Sequence, residues 1–541
     1  MLFKRSLFRP QDSTIMSMKS GPLYPALVKE MYPNERIVIS HEALLRAAPM
    51  LFPLYSPVKL RFDYYFSPNR IVWRGDETDD WSTFITGAVD GKVIEDPDDI
   101  PEHPWLTVPS GGFAEGSLAD YLGFNTESSL AGAKVSAMRF RHYQKICKDF
   151  YLDENFSTMP SISYASGEDT TTSLDLQYRC WNKDRFTTAS LEPQKGLSIG
   201  IAIAGSIPVV GTGDSMGLTD GTNEYGLANG YISTTSYGGL GVASTASGVV
   251  NGTNIGAATM RADNSGSVVF GLSKDPDKSG VVADTSQIDP IPIDELHFLT
   301  QVQRLNQRDN MWGSRDFECI RTHFGCEIED TRLQRATHLG WSEVDVNFSE
   351  VLQTSQTTSG DGGSAQGNIT GHTFAVDASH PVKFFCREWG FLFVIVNVQP
   401  IAQYQQGIPR DALYQTRYDY MWPILSETGE QELYEAELYA TAANIASRKI
   451  FGFEPRYNHL RFGEKTVHGA FRSSLASYHT GRIFNSEPNL GESFIKADPT
   501  NRMFAVEFGE VDPWWLRVEF NIKHVRRLPK WPNPSSIGKL F

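Results

Sequence analysis

Hydrophobic residues recur along this chain with two different periods. Val58, Leu60, Phe62, Tyr64 and Phe66 alternate with Lys59, Arg61, Asp63 and Tyr65, the period that sends successive side chains to opposite faces of a strand. The pattern predicts a half-buried strand. Leu516, Val518, Phe520 and Ile522 alternate in the same way with Arg517, Glu519, Asn521 and Lys523, and the two segments are expected to be the first and last strands of one sandwich. Between them, Phe391 to Val398 is apolar at nearly every position and rich in β-branched residues, as a strand covered on both faces requires. Pro400 ends that run, and Gln405, Gln406, Gly407 and Pro409 read as a loop.

Helical spacing appears twice. Met138, Phe140, Tyr143, Ile146 and Phe150 predict a helix over residues 136–150, and Leu296, Leu299, Val302 and Leu305 predict one over residues 294–308 with Asp294 as its N-cap. Both apolar stripes have ordinary core-facing spacing, so neither is assigned a cofactor or a partner groove. From Gly196 to about Lys278 the chain turns to Gly, Ser, Thr, Ala and Asn with almost no basic residues, and Thr354 to Gly371 repeats that composition on a smaller scale. Such segments offer too little apolar area to offset the entropy of ordering them. They are expected to be exposed loops or projections that pack on copies of themselves, and no fixed-period repeat runs through them.

Composition narrows the picture. A chain of 541 residues with 40% hydrophobic content buries at least one large core, and 46 glycines, 29 prolines and a 12% aromatic share suit a loop-rich β protein. The 49 basic and 64 acidic residues leave a net charge of −15, which argues against wrapping nucleic acid over most of the surface and restricts any DNA contact to local patches. The five cysteines, Cys147, Cys180, Cys319, Cys326 and Cys386, are odd in number with no C-x-x-C pair. Buried free thiols are expected, with neither a disulfide framework nor a zinc site. Lys4, Arg5 and Arg9 are not followed by an uninterrupted apolar stretch, so no secretory signal is read. The run from Phe391 to Val398 is too short for a membrane helix.

Candidate chemistry is thin. Gly213-Asp-Ser-Met-Gly217 fits the G-x-S-x-G of serine hydrolases around Ser215, but no apolar strand leads into it and no helix follows. The acidic runs Glu95 to Asp99 and Glu327 to Asp330 read as solvated surface, and no metal or nucleotide motif occurs. No catalytic, cofactor or metal residue is therefore assigned.

Several short blocks, in order, resemble the major capsid proteins of microviruses, particularly the gokushovirus branch. They include Phe66-Ser-Pro-Asn-Arg-Ile-Val-Trp73, Gly116-Ser-Leu-Ala-Asp-Tyr-Leu-Gly123, Arg141-His-Tyr-Gln-Lys-Ile-Cys147, Asp184-Arg-Phe-Thr-Thr-Ala-Ser-Leu191, Glu388-Trp-Gly-Phe391, Tyr404-Gln-Gln-Gly-Ile-Pro-Arg410 and Gly469-Ala-Phe-Arg-Ser473. The resemblance covers most of the chain outside the two Gly/Ser-rich insertions and the extreme N-terminus, and is loose over Asp76 to Thr107. It implies an all-β fold dominated by an eight-stranded viral jelly roll with long loop insertions and a few short helices. The roll would be built from residues 1–195 and 285–541. Residues 196–284 would form a threefold surface protrusion.

It further implies a non-enzymatic coat protein that forms an icosahedral shell of copies around circular single-stranded DNA. The virion would be assembled in the cytoplasm of a bacterial host, with a small basic packaging protein and other viral structural or scaffolding proteins as partners and a bacterial receptor outside. Lys4, Arg5, Arg9, Lys523, Arg526, Arg527 and Lys530, the last group interleaved with His524 and Trp531, are the DNA-facing candidates, with salt links to neighbouring subunits as the alternative. Tyr225, Tyr231 and Tyr237 are candidates for host attachment or threefold packing. The rival readings are a carbohydrate-binding β-sandwich and a hydrolase centred on Ser215.

Overall fold

The computed structural model describes residues 5–75, 79–89, 92–94, 96, 99–196, 293–312, 321–325, 329, 334–352, 369–505 and 511–530, with short strand segments between 209 and 283. Lys4, Ser215, Tyr237, Cys319, Cys326 and Trp531 lie outside the described residues, as does most of both acidic runs. The chain divides into two compact units, 1–196 with 304–541, and 197–303.

The larger unit is built on two antiparallel sheets. The strands that form them are β1 (Ser6–Phe8), β2 (Gln11–Met18), β3 (Tyr24–Met31), β4 (Glu35–Ala47), β5 (Val58–Pro68), β6 (Thr337–Asp345), β7 (Asn347–Leu352), β8 (Ile369–Ala378), β9 (Val382–Cys386), β10 (Gly390–Pro400) and β11 (Trp514–Arg526). One sheet has seven strands in the order β1-β11-β4-β8-β7, with β2 also on β11 and β9 also on β4. The other has four, in the order β6-β5-β10-β3. Pro10 and Pro381 fall in the gaps between β1 and β2 and between β8 and β9, where a residue with no N–H to donate interrupts a ladder.

The core follows from the alternation. Ile37, Ile39, Ala43 and Leu45 of β4 and Leu516, Val518, Phe520 and Ile522 of β11 meet Leu60, Phe62, Tyr64 and Phe66 of β5 and Leu392, Val394, Val396 and Val398 of β10 in one buried cluster. A polar pin crosses it. His41 on β4 bonds the Tyr64 hydroxyl through Nδ1, and its Nε2 lies 3.0 Å from Asp377 of β8. Asp377 also accepts a 2.8 Å bond from the Ser342 hydroxyl of β6. Burial alone would raise the Asp377 carboxyl, but the bonds from His41 and Ser342 hold it below its ordinary value.

A third layer covers the outer face of the four-stranded sheet. Helix α1 (Met138–Phe150) packs Met138, Phe140, Tyr143, Ile146 and Cys147 against Tyr65, Phe391, Phe393 and Ile395. β10 is accordingly buried at every position. β5 departs from the expected half-buried strand, because the same layer also buries Asp63 and Tyr65, each 3% exposed. Arg61 chelates the Asp63 carboxylate at 2.9–3.0 Å and the Tyr151 hydroxyl donates to it at 2.9 Å, which offsets the cost of enclosing a charge.

Three further expectations change. β5 is not the first strand, since β1 to β4 precede it, and it lies in the opposite sheet from β11. Helix α2 (Ile293–Trp312) contains Asp294 inside its first turn and not as its cap. Of its apolar stripe, expected to face a core, Leu296 and Leu305 are exposed, at 42% and 51%, while Leu299 and Val302 are half-buried. Among the described cysteines Cys147 and Cys386 are buried, Cys180 is half-buried, and all three are free thiols. No helix of the described residues is long and apolar enough to cross a membrane.

Candidate nucleic-acid interface

Among the described residues, the outer face of the seven-stranded sheet has no covering layer of the kind α1 gives its partner sheet: in β11, Trp515, Arg517, Glu519, Asn521 and Lys523 are exposed while the residues between them are buried. Antiparallel register fixes what lies beside them. β1 pairs with the end of β11 through Ser6–Arg526, Leu7–Val525 and Phe8–His524, so the two cationic ends of the sequence meet on one edge. β4 pairs with the same segment through Lys523–Val38 and Val525–Arg36, and β9 extends the rows through Lys383–Val38 and Phe385–Arg36. Partners in register share a face. Leu7, Arg36, Lys383, Phe385 and Lys523 thus share one surface, with exposed Arg5 and Arg9 flanking β1 and exposed Arg527 following β11. The Arg36 guanidinium lies 5.5 Å from the Phe385 ring centre.

Arg526 behaves differently from its neighbours. It alternates inward, where its Nε lies 3.0 Å from Glu35, and it donates to the Glu30 carbonyl at 2.8 Å. His524, 1% exposed, lies 3.0 Å from the other Glu35 oxygen. These contacts clamp the strand end and leave Lys523, Arg527 and Lys530 exposed.

The middle of the face holds Glu42 opposite Glu519, the latter paired with Arg517, and beyond it the register places Trp515 beside Arg46 and Arg46 beside Phe374. Trp515 is 44% and Phe374 42% exposed. Cations attract phosphates and exposed aromatic faces stack on unpaired bases, so two zones of this sheet carry groups suited to a single strand. Arg36, Arg46, Lys383, Phe374 and Trp515 were not legible as site residues, because strand pairing assembles them from distant segments; the alternation of residues 35–47 was the available signal for the two arginines.

In the smaller unit, Tyr225 lies in strand Glu224–Ala228, opposite Leu218, and Tyr231 begins strand Tyr231–Ser233, opposite Ala228. Among the described residues no group of three or more His, Cys, Asp or Glu side chains could hold a metal ion.

The fold is a strand-rich, antiparallel two-sheet sandwich with one basic and aromatic face among its described residues. The chain belongs to the phage capsid family described as "Capsid protein (F protein)", whose family model matches residues 2–535. It is similar to capsid protein VP1 of Bdellovibrio phage phiMH2K, 28% identical over 548 residues that cover 99% of this chain and 96% of that protein. Capsid protein VP1 of Chlamydia phage 1 is 27% identical over 98% of this chain and 96% of its own length, and that of Spiroplasma virus 4 is 27% identical over 97% and 94%. All three come from gokushoviruses. Membership makes this chain a major capsid protein, a structural component of the virion and not an enzyme, working as a homo-oligomeric shell.

Proposed function

We propose that this chain folds as a jelly roll and self-assembles in the cytoplasm of a bacterial host into a small icosahedral shell around single-stranded DNA. The observation that carries the DNA contact is the register that puts Lys523, Arg36 and Lys383 on one sheet face, with exposed Arg5 and Arg9 flanking β1 and exposed Arg527 following β11. That face contacts the genome, and Lys4 and Lys530 extend it. The net charge of −15 favours help from a small basic packaging protein. Residues 196–284 form the threefold surface projection, with Tyr225, Tyr231 and Tyr237 in host attachment or threefold packing.

Sedimentation of native material followed by nuclease challenge tests the reading. Shell-sized particles that shield single-stranded DNA are expected, with packaged DNA reduced several-fold in a Lys523→Glu, Arg36→Glu variant. A compact monomer that persists in the presence of the other virion proteins would overturn it.

A further inference from the structure

The segment Tyr418–Ile424 displays five large apolar side chains to solvent: Tyr418 53%, Tyr420 62%, Met421 55%, Trp422 48% and Ile424 85% exposed. It is held rigidly in that posture. The Asp419 carboxylate accepts from the backbone N–H groups of Gln415 and Thr416 at 2.8 and 2.7 Å and from the Thr416 hydroxyl at 3.1 Å. The Trp422 indole N–H donates to the Arg417 carbonyl at 2.8 Å, and Arg456 donates to the Tyr418 carbonyl at 3.0 Å. Tyr457, buried at φ +61°, places its hydroxyl beneath the loop, where it donates to the Tyr420 carbonyl and accepts from the Trp422 N–H, both at 3.1 Å.

A left-handed tyrosine costs free energy that a glycine would not, so the loop is kept in one shape against a local penalty. Rigid aromatic anchors that need no further ordering are what a binding hot spot requires.

We propose that Tyr418–Ile424 is the centre of a contact with a second copy of this chain. The inference rests on the shell reading and adds the surface. Five large side chains at about half exposure present on the order of 500 Å². That equals the largest apolar patch usual on a monomer and makes up most of the roughly 800 Å² per partner that a stable interface buries. Charge selects the occupant. The only ionisable carboxylate or cation in the segment is Asp419, whose carboxyl is raised by burial but held below its ordinary value by the Gln415 and Thr416 bonds. Arg448 lies 4.0 Å from that carboxylate, so the segment carries no unpaired charge of its own, and its large apolar area suits a protein surface more than a polyanionic strand.

Cross-linking in assembled particles tests this with the full-length chain. With p-benzoylphenylalanine in place of Ile424, irradiation is expected to give a product at twice the 60.4 kDa chain mass that contains only this protein. A product carrying nucleic acid or a different protein, or no product, would overturn the proposal. In parallel, Trp422→Asp with Ile424→Asp is expected to lower the yield of shell-sized particles more than tenfold while circular dichroism and the unfolding midpoint stay as in the wild type. Wild-type yield from that variant would also sink it. Failure of the wild-type chain itself to form shells would instead remove the coat-assembly reading beneath it.

Discussion

His142 shows how a single side chain ties the layers together at a cost set by pH. Its ring nitrogens lie 2.6 Å from the Ser67 hydroxyl and 3.1 Å from the Asn69 side-chain oxygen, fully enclosed between α1 and β5. Burial, reinforced by the neighbouring Arg141, pushes its pKa down to about 3. An unfolded chain takes up that proton near pH 6.5, whereas the folded one does so only near 3, so stability is full above 6.5 and falls as pH drops through this window. The unfolding midpoint of dissociated protein is expected to fall more steeply from pH 6.5 to 4 in the wild type than in His142→Gln, by at most about 1.4 kcal/mol per pH unit. Equal slopes would mean that the ring is protonated in the folded state. Arg141, beside it, is paired at 2.7 Å with Asp169, both side chains 0% exposed. Neither residue was legible as a core position, since a helix written Arg-His-Tyr-Gln-Lys reads as polar until its hydrogen-bond partners are known.

Elements differ in how much of themselves they announced. β11 alternates buried and exposed from Trp514 to His524 without a fault, and β10 is enclosed on both sides as its run of Val, Ile and Phe required. For β5 and α2, periodicity identified an apolar face but not what would cover the other side or whether anything would. Covering layers are long-range facts, supplied here by α1 for β5, while Leu296 and Leu305 of α2 stay exposed among the described residues. The contrast can be measured on two isoleucines. Ile395→Ala in β10, 1% exposed against α1, is expected to cost about 2–5 kcal/mol. Ile15→Ala in β2, 82% exposed, should change the unassembled chain by no more than about 0.5 kcal/mol. Similar losses at both sites would contradict the burial described for the two sheets. The cationic ends were legible as composition; that β1 lies on β11, bringing them together, was not.

At the scale of the whole molecule, the division into units 1–196 with 304–541 and 197–303 predicts that deleting residues 200–280 leaves the sandwich with a cooperative thermal transition while adsorption of particles to host cells is lost. A deletion variant with no transition by circular dichroism would show that the sandwich depends on the removed residues. Composition marked that segment from Gly196 to about Lys278 and the resemblance carried it to 284, but its internal strands, such as Gly217–Thr219 against Glu224–Ala228, were hidden by residues with low strand preference. The placement of β11 has a consequence for the chain's birth. It sits between β1 and β2 on one side and β4 on the other, yet the ribosome delivers it last, on the order of half a minute to a minute and a half after β4 at bacterial elongation rates. Until then those strands wait without the partner that joins them. A nascent chain cut short before Trp514 can complete neither the sandwich nor its basic face, so proofreading against truncated subunits is written into the order of translation.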